Sequence, residues 1–226
     1  MANLIVRPGW WIPERHVTPE RAHHSRRAVL RQLGLGTLAL AGLPGHAADA
    51  PADPYAKGYP HPRSRDFDPG WKFTEEQAAS TYNNFYEFTL QKDVHRHVGK
   101  FTTAPWPVEI GGLVERPVTL DAAELIAQQA LEERVYRFRC VEAWAMIVPW
   151  TGFPFAKIAA LVKPRPEAKF VRFITALKPD QMPGLARAPQ YPWPYFEGLR
   201  LDEALHPLTL VATGIYGKPL GKQFGP

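Results

Sequence analysis

The chain has 226 residues, a formal net charge of +5, 24 prolines and a single cysteine. Six of its 27 basic residues and two of its 22 acidic ones fall in residues 1–47, so the remainder is close to neutral, about +1. No basic run is left there to suggest nucleic acid or an anionic membrane as partner, and one thiol excludes an internal disulfide and any zinc or iron–sulfur site built on several cysteines.

In chain order, the first signal is Ser25-Arg26-Arg27-Ala28-Val29-Leu30, two adjacent arginines ahead of apolar residues. The apolar run from Leu33 to Leu43 is far shorter than the ~20 residues that span a bilayer, and Gly45-His46-Ala47 offers a small-residue cleavage site. Residues 1–47 are therefore expected to be a twin-arginine signal peptide, read by the Tat translocase, with the periplasm as destination. Residues 48–73 are Pro-rich and predict an extended arm; 74–226 predict one domain.

Within that domain Thr74 to Ala79 predicts a short helix starting near Phe73 or Thr74, and residues 82–88 an irregular polar-aromatic loop. Trp106 to Val114 alternates, as in a strand broken by Gly111-Gly112, and Val118 to Leu125 reads as strand, cap and helix. Leu131 to Cys140 alternates like a half-buried strand, Phe155 to Val162 is an amphipathic helix ended before Pro164, and strands follow at 169–177 and 208–212. Because proline is excluded from helix interiors and central strands, the composition predicts short strands and long loops, an α+β fold.

Cys140 carries the chemical question. Arg137 and Arg139 flank it, and nearby positive charge favours the thiolate, the form that binds metal. On the residues alone it is open whether the thiol is buried and inert, paired between chains, a nucleophile served by His95, His97 or His206, or a metal ligand.

Several blocks bear on this: Tyr82-Asn83-Asn84-Phe85-Tyr86-Glu87-Phe88, Arg137-Phe138-Arg139-Cys140-Val141-Glu142-Ala143-Trp144, and Val148-Pro149-Trp150-Thr151-Gly152-Phe153-Pro154. Gln181-Met182-Pro183-Gly184, Glu197-Gly198-Leu199-Arg200-Leu201-Asp202-Glu203-Ala204 and His206-Pro207-Leu208-Thr209-Leu210 follow. In order and spacing they resemble the catalytic subunit of the bacterial periplasmic protein-methionine-sulfoxide reductases, molybdenum-pterin proteins of the sulfite-oxidase fold. The resemblance implies that Cys140 is the catalytic thiolate ligand of molybdenum, and that Asn83, Tyr86, Glu87 and Thr175 contact the molybdopterin. It implies a Mo-molybdopterin cofactor, oxygen-atom transfer from methionine sulfoxide in oxidised periplasmic proteins, and a haem-bearing membrane subunit as electron donor. For Trp144 and Trp150 two roles are open, lining the opening or packing in the core, and core packing is the commoner use of a tryptophan. Sulfite oxidases tend to read Cys-Ala-Gly-Asn at the ligand, unlike Cys140-Val141-Glu142-Ala143, which disfavours sulfite.

The family reads on beyond the equivalent of Lys218 through an Asn-Gly-Ala-Pro-Val-Arg-like segment and further phosphate contacts, whereas Phe224 stands where the family has the asparagine. The expectation is a molybdopterin domain incomplete at its C-terminus with weak cofactor retention. A non-enzymatic exported protein of the same fold and a sulfite-oxidase-like enzyme are the alternatives.

Overall fold

The computed structural model describes residues 53–56 and 58–224; the export signal expected over 1–47 lies outside them. The described part is an α+β fold whose strands pair antiparallel in three sheets. Helix α1 (Glu76–Ser80) begins two residues later than the sequence suggests. The reason is that Thr74 is already engaged elsewhere: its N–H donates to the Ile147 carbonyl at 2.8 Å and its Oγ1 accepts the Ile147 N–H at 3.0 Å.

Strands β1 (Pro107–Ile110) and β2 (Val118–Asp121) form a hairpin, and α2 (Ala122–Ala127) follows directly. Asp121 makes that junction. One carboxylate oxygen accepts the Ala123 N–H at 2.9 Å, capping α2, and the other accepts the Trp106 N–H at 2.8 Å, tying down the start of β1.

Strands β3 (Glu132–Arg139) and β4 (Ala145–Pro154) form the longest hairpin, followed by helix α3 (Ala156–Val162). β5 (Phe170–Ile174), α4 (Gly184–Arg187), β6 (Phe196–Arg200) and α5 (Leu201–Ala204) come next. β7 (Leu210–Ile215) and the short β8 (Lys218–Pro219) complete a sheet ordered β3-β4-β7-β8, while β5 pairs with β6.

Two expectations are corrected. Proline does occur in a central strand: Pro149 is fully buried in β4, opposite Val135 of β3. Its carbonyl accepts the Tyr216 N–H at 3.0 Å, on the β7 side. A residue of an antiparallel strand aims its N–H and C=O at the same edge, so the missing N–H faces the end of the β4–β7 ladder and costs β3 nothing. Secondly, β3 does not alternate. Glu133, Arg134 and Val135 are all buried, whereas Arg137, Phe138 and Arg139 are exposed. Residues 62–64 run beside β3, with Glu133 and Pro62 or Ser64 exchanging backbone hydrogen bonds at 2.8 Å, and Arg63 Nε donates to Glu133 at 2.7 Å. Arg134 donates to the Pro207 carbonyl at 2.7 Å and lies 4.1 Å from the centre of the Phe67 ring. Paired charges replace the expected apolar positions.

A bulge between Thr151 and Gly152 shifts the β4–β7 register, and Gly152 is required there because a Cβ would lie 2.1 Å from the Val211 carbonyl oxygen. Beneath the 82–98 segment, Phe88, Val94, Val98, Phe101, Met182 and Leu185 form one core cluster. Each large apolar side chain fully buried there contributes roughly 1.5–3 kcal/mol.

Candidate functional site

The site is built from two pieces distant in sequence: the 82–93 loop and the turn between β3 and β4. The loop is closed by the Asn83 N–H donating to the Lys92 carbonyl at 3.0 Å. Phe88 enters the core cluster and draws Glu87 inside with it, leaving Glu87 only 3% exposed. The Thr175 hydroxyl lies 2.8 Å from the Glu87 carboxylate and 3.2 Å from the Tyr195 carbonyl. The Glu87 carbonyl in turn accepts the Gly184 N–H at 2.7 Å.

The turn is a three-residue loop. Cys140 N–H donates to the Trp144 carbonyl at 2.9 Å, Ala143 N–H donates to the Cys140 carbonyl at 3.1 Å, and Ala143 adopts φ 68°. Cys140 therefore lies one residue beyond β3, half-buried, and its Sγ is 3.7 Å from Asn84 Nδ2. The guanidinium groups expected to crowd the thiol belong to residues exposed on β3; the group hydrogen-bonded to it is an amide.

Glu142, two residues on, joins the pieces. Its carboxylate accepts from Lys92 Nζ, from the Tyr86 hydroxyl, and from Trp144 Nε1 at 3.3 Å. The Lys92 ammonium first, and then the Tyr86 hydroxyl, hold the Glu142 carboxyl down to about 2, so it is ionised at neutral pH. Cys140, Asn83, Tyr86 and Glu87 are thus brought into one neighbourhood, with Thr175 tied to it through Glu87. Asn84 and Glu142 were not singled out by sequence reasoning, although both stand inside the quoted blocks, beside Asn83 and two residues after Cys140. Trp144 lies edge-on to Tyr82 at 5.7 Å and tilted against Phe138 at 5.8 Å. Both neighbours are exposed, whereas Trp150 packs against a core cluster with Val148 and Ile215.

Among the described residues, the buried side-chain oxygens of Asn83 and Asn84 in this loop have no hydrogen-bond partner. Buried polar atoms are normally satisfied, so each invites a bound group. Two carboxamide oxygens need N–H donors, which a pterin carries, and a thiolate is a soft ligand that suits a redox metal. The residues present fit a metal-pterin cofactor. Among the described residues, no group of three or more His, Cys, Asp or Glu converges to hold a metal unaided. A separate groove of about 1110 Å³ lies among β1, β2, α3 and β5, lined by residues such as Val108, Ile110, Ile158, Val162 and Phe170, and includes none of the site residues.

Residues 95–226 match the family model described as oxidoreductase molybdopterin binding domain, and the chain belongs to that family. Cys140 and Thr175 fall inside the matched span, while Asn83, Tyr86 and Glu87 just precede it. The chain is similar to the protein-methionine-sulfoxide reductase catalytic subunit MsrP of Xanthomonas axonopodis pv. citri, with 44% identity over 216 residues, 95% of this chain and 66% of that protein. The protein of the same name from Burkholderia mallei is 43% identical over 220 residues, with coverage of 95% and 66%. The chain thus spans just under two thirds of the length of these curated relatives. Among solved structures, the sulfane dehydrogenase SoxCD from Paracoccus pantotrophus aligns over 72% of this chain and 49% of that one, at 10% identity and a TM-score of 0.44, a likeness too loose to carry an argument.

Proposed function

We propose that the chain is a molybdenum-pterin reductase that returns methionine sulfoxide in oxidised periplasmic proteins to methionine. The observation that carries this reading is a half-buried thiol beside two buried carboxamide oxygens that have no partner among the described residues, in a chain of the molybdopterin-binding family. The name shared by the two relatives supports the choice of substrate.

Cys140 would supply a thiolate to molybdenum, and Asn83, Tyr86, Glu87 and Thr175 would hold the pterin. When bound, the group supplies oxygen-atom transfer: the S=O oxygen is taken up with two electrons and two protons and leaves as water, and the thioether is released. The chain's own part is positional. Thr175 and Gly184 fix Glu87, which sets the backbone of the 83–87 segment; the unpartnered Asn83 and Asn84 oxygens would accept N–H groups of the pterin. Trp144, with Tyr82 and Phe138, provides an aromatic surface beside the thiol for a sulfur-bearing side chain. Export through the Tat translocase and electrons from a haem-bearing membrane subunit belong to the same reading, supported by Arg26-Arg27 and by the word subunit in the relatives' names.

Measuring molybdenum and pterin in the chain purified after export, alongside reduction of methionine sulfoxide in an oxidised protein, tests the proposal. Cys140→Ser is expected to lose molybdenum and activity together. Stoichiometric metal in that variant would overturn the ligand assignment.

A further inference from the structure

The turn bearing Cys140 is closed by two backbone hydrogen bonds of its own, from Cys140 to Trp144 and from Ala143 to Cys140, but its tip is exposed. Val141 is fully exposed, and Ala143 occupies left-handed backbone that a residue with a Cβ disfavours. What ties the turn to the rest of the site comes from across it. Lys92 closes the loop through its carbonyl, which accepts the Asn83 N–H at 3.0 Å, and its ammonium reaches over to Glu142. The same ammonium lies 3.4 Å from the Tyr86 hydroxyl, which also donates to Glu142. With the loop and turn joined in this way, Asn84 Nδ2 stands 3.7 Å from the thiol.

We infer that Lys92 is a positioning residue for Cys140: acting through Glu142, it straps the β3–β4 turn onto the 83–92 loop and holds the thiol against the Asn84 amide. Isolated surface ion pairs contribute little. Here the pair lies at the surface, Glu142 being exposed, but a hydroxyl and an indole N–H share the same carboxylate, so the contact is a junction of four groups. The relevance of the strap to catalysis rests on the proposed role of Cys140; its existence does not.

Because Cys140 is the only cysteine, the rate of iodoacetamide labelling of the full chain, produced without molybdopterin so that no metal masks the thiol, reports on this thiol alone. If the strap holds the thiol in place, Lys92→Met and Glu142→Gln should each speed labelling about fivefold. The double variant should label no faster than either single one, since each already opens the strap, and Lys92→Arg should stay near the wild-type rate. A purely electrostatic role predicts another pattern. Loss of the cation disfavours the thiolate and slows labelling, loss of the carboxylate speeds it, and the double variant falls between. Lys92→Met labelling at or below the wild-type rate would overturn the inference. Amide exchange should quicken at 140–144 and stay unchanged at 132–139, which separates strap release from general unfolding. Tyr86→Phe, which removes a hydroxyl without changing charge, should give a smaller increase in the same direction. Molybdenum content of Cys140→Ser is an independent readout. Retained metal there with accelerated labelling in Lys92→Met defeats the ligand reading alone, whereas lost metal with unchanged labelling defeats the strap alone.

Discussion

Gly184 shows how closely the site is fitted at the level of single residues. A Cβ at that position would lie 2.3 Å from the Tyr86 carbonyl oxygen and 2.6 Å from that of Glu87, and neither backbone atom can swing away as a side chain would. Gly184→Ala is therefore expected to cost about 2–3 kcal/mol in urea denaturation, with the 83–87 segment displaced. A stability within a few tenths of wild type would contradict the close approach. Local sequence gave partial access to such detail. Cys140, Asn83, Tyr86, Glu87 and Thr175 could be placed through the resemblance, and the structure puts them in one neighbourhood. Lys92 could not be found that way: it lies 50 residues from Glu142, and nothing in its immediate sequence marks it as other than a solvated lysine.

At the level of elements, what was legible was whatever depends on neighbouring residues. The β1–β2 alternation, the Asp121 cap and the end of α3 before Pro164 are all local, and all appear. β4 carries no clear strand pattern, because Pro149 and Pro154 interrupt it. Pro149 is tolerated because its missing N–H faces the end of the β4–β7 ladder, where Tyr216, 67 residues later, meets its carbonyl, a fact no local pattern contains. The burial of β3 departs from its alternation for a similar reason: its buried charges are paired by Arg63, Pro207 and Phe67, which approach from elsewhere in the chain. Arg134 makes the clearest test. Its side chain is 5% exposed and donates to Glu132, Tyr136 and the Pro207 carbonyl. Arg134→Met keeps much of the apolar stem but leaves that carbonyl unpaired, so a loss of about 2–3 kcal/mol is expected in urea titration; a loss under about 1 would show that water replaces the guanidinium freely.

For the whole molecule, alkaline pH is the informative axis. Burial, followed by the nearby Asp121 and Asp53, pushes the Tyr55 hydroxyl up to about 12; burial, with Glu76 and Glu75 adding to it, does the same for Tyr216. The folded state holds these protons more tightly than the unfolded chain, whose tyrosines titrate near 10. Their contribution to stability is thus complete below about pH 10 and is lost as pH rises towards 12. The urea midpoint should be steady up to about pH 10 and fall beyond it, and Tyr216→Phe should make that fall shallower. An equal fall in the variant would remove Tyr216 as a cause.

The β3–β4 hairpin also sets an order of events. Its two strands adjoin in sequence and pair with short loop closure, so the turn carrying Cys140 can form early. The residues that complete its surroundings lie 48–56 positions upstream, and β7, which lines the other edge of β4, is equally remote. Closing those longer loops is entropically slower. In pulse-labelled refolding, amides bonded within the β3–β4 hairpin should gain protection before those of Glu133, Thr74 and Tyr216, whose acceptors Pro62, Ile147 and Pro149 are remote in sequence. The thiol is then presented on a formed hairpin before its surroundings close, so assembly of the site is a late step of folding rather than its nucleus.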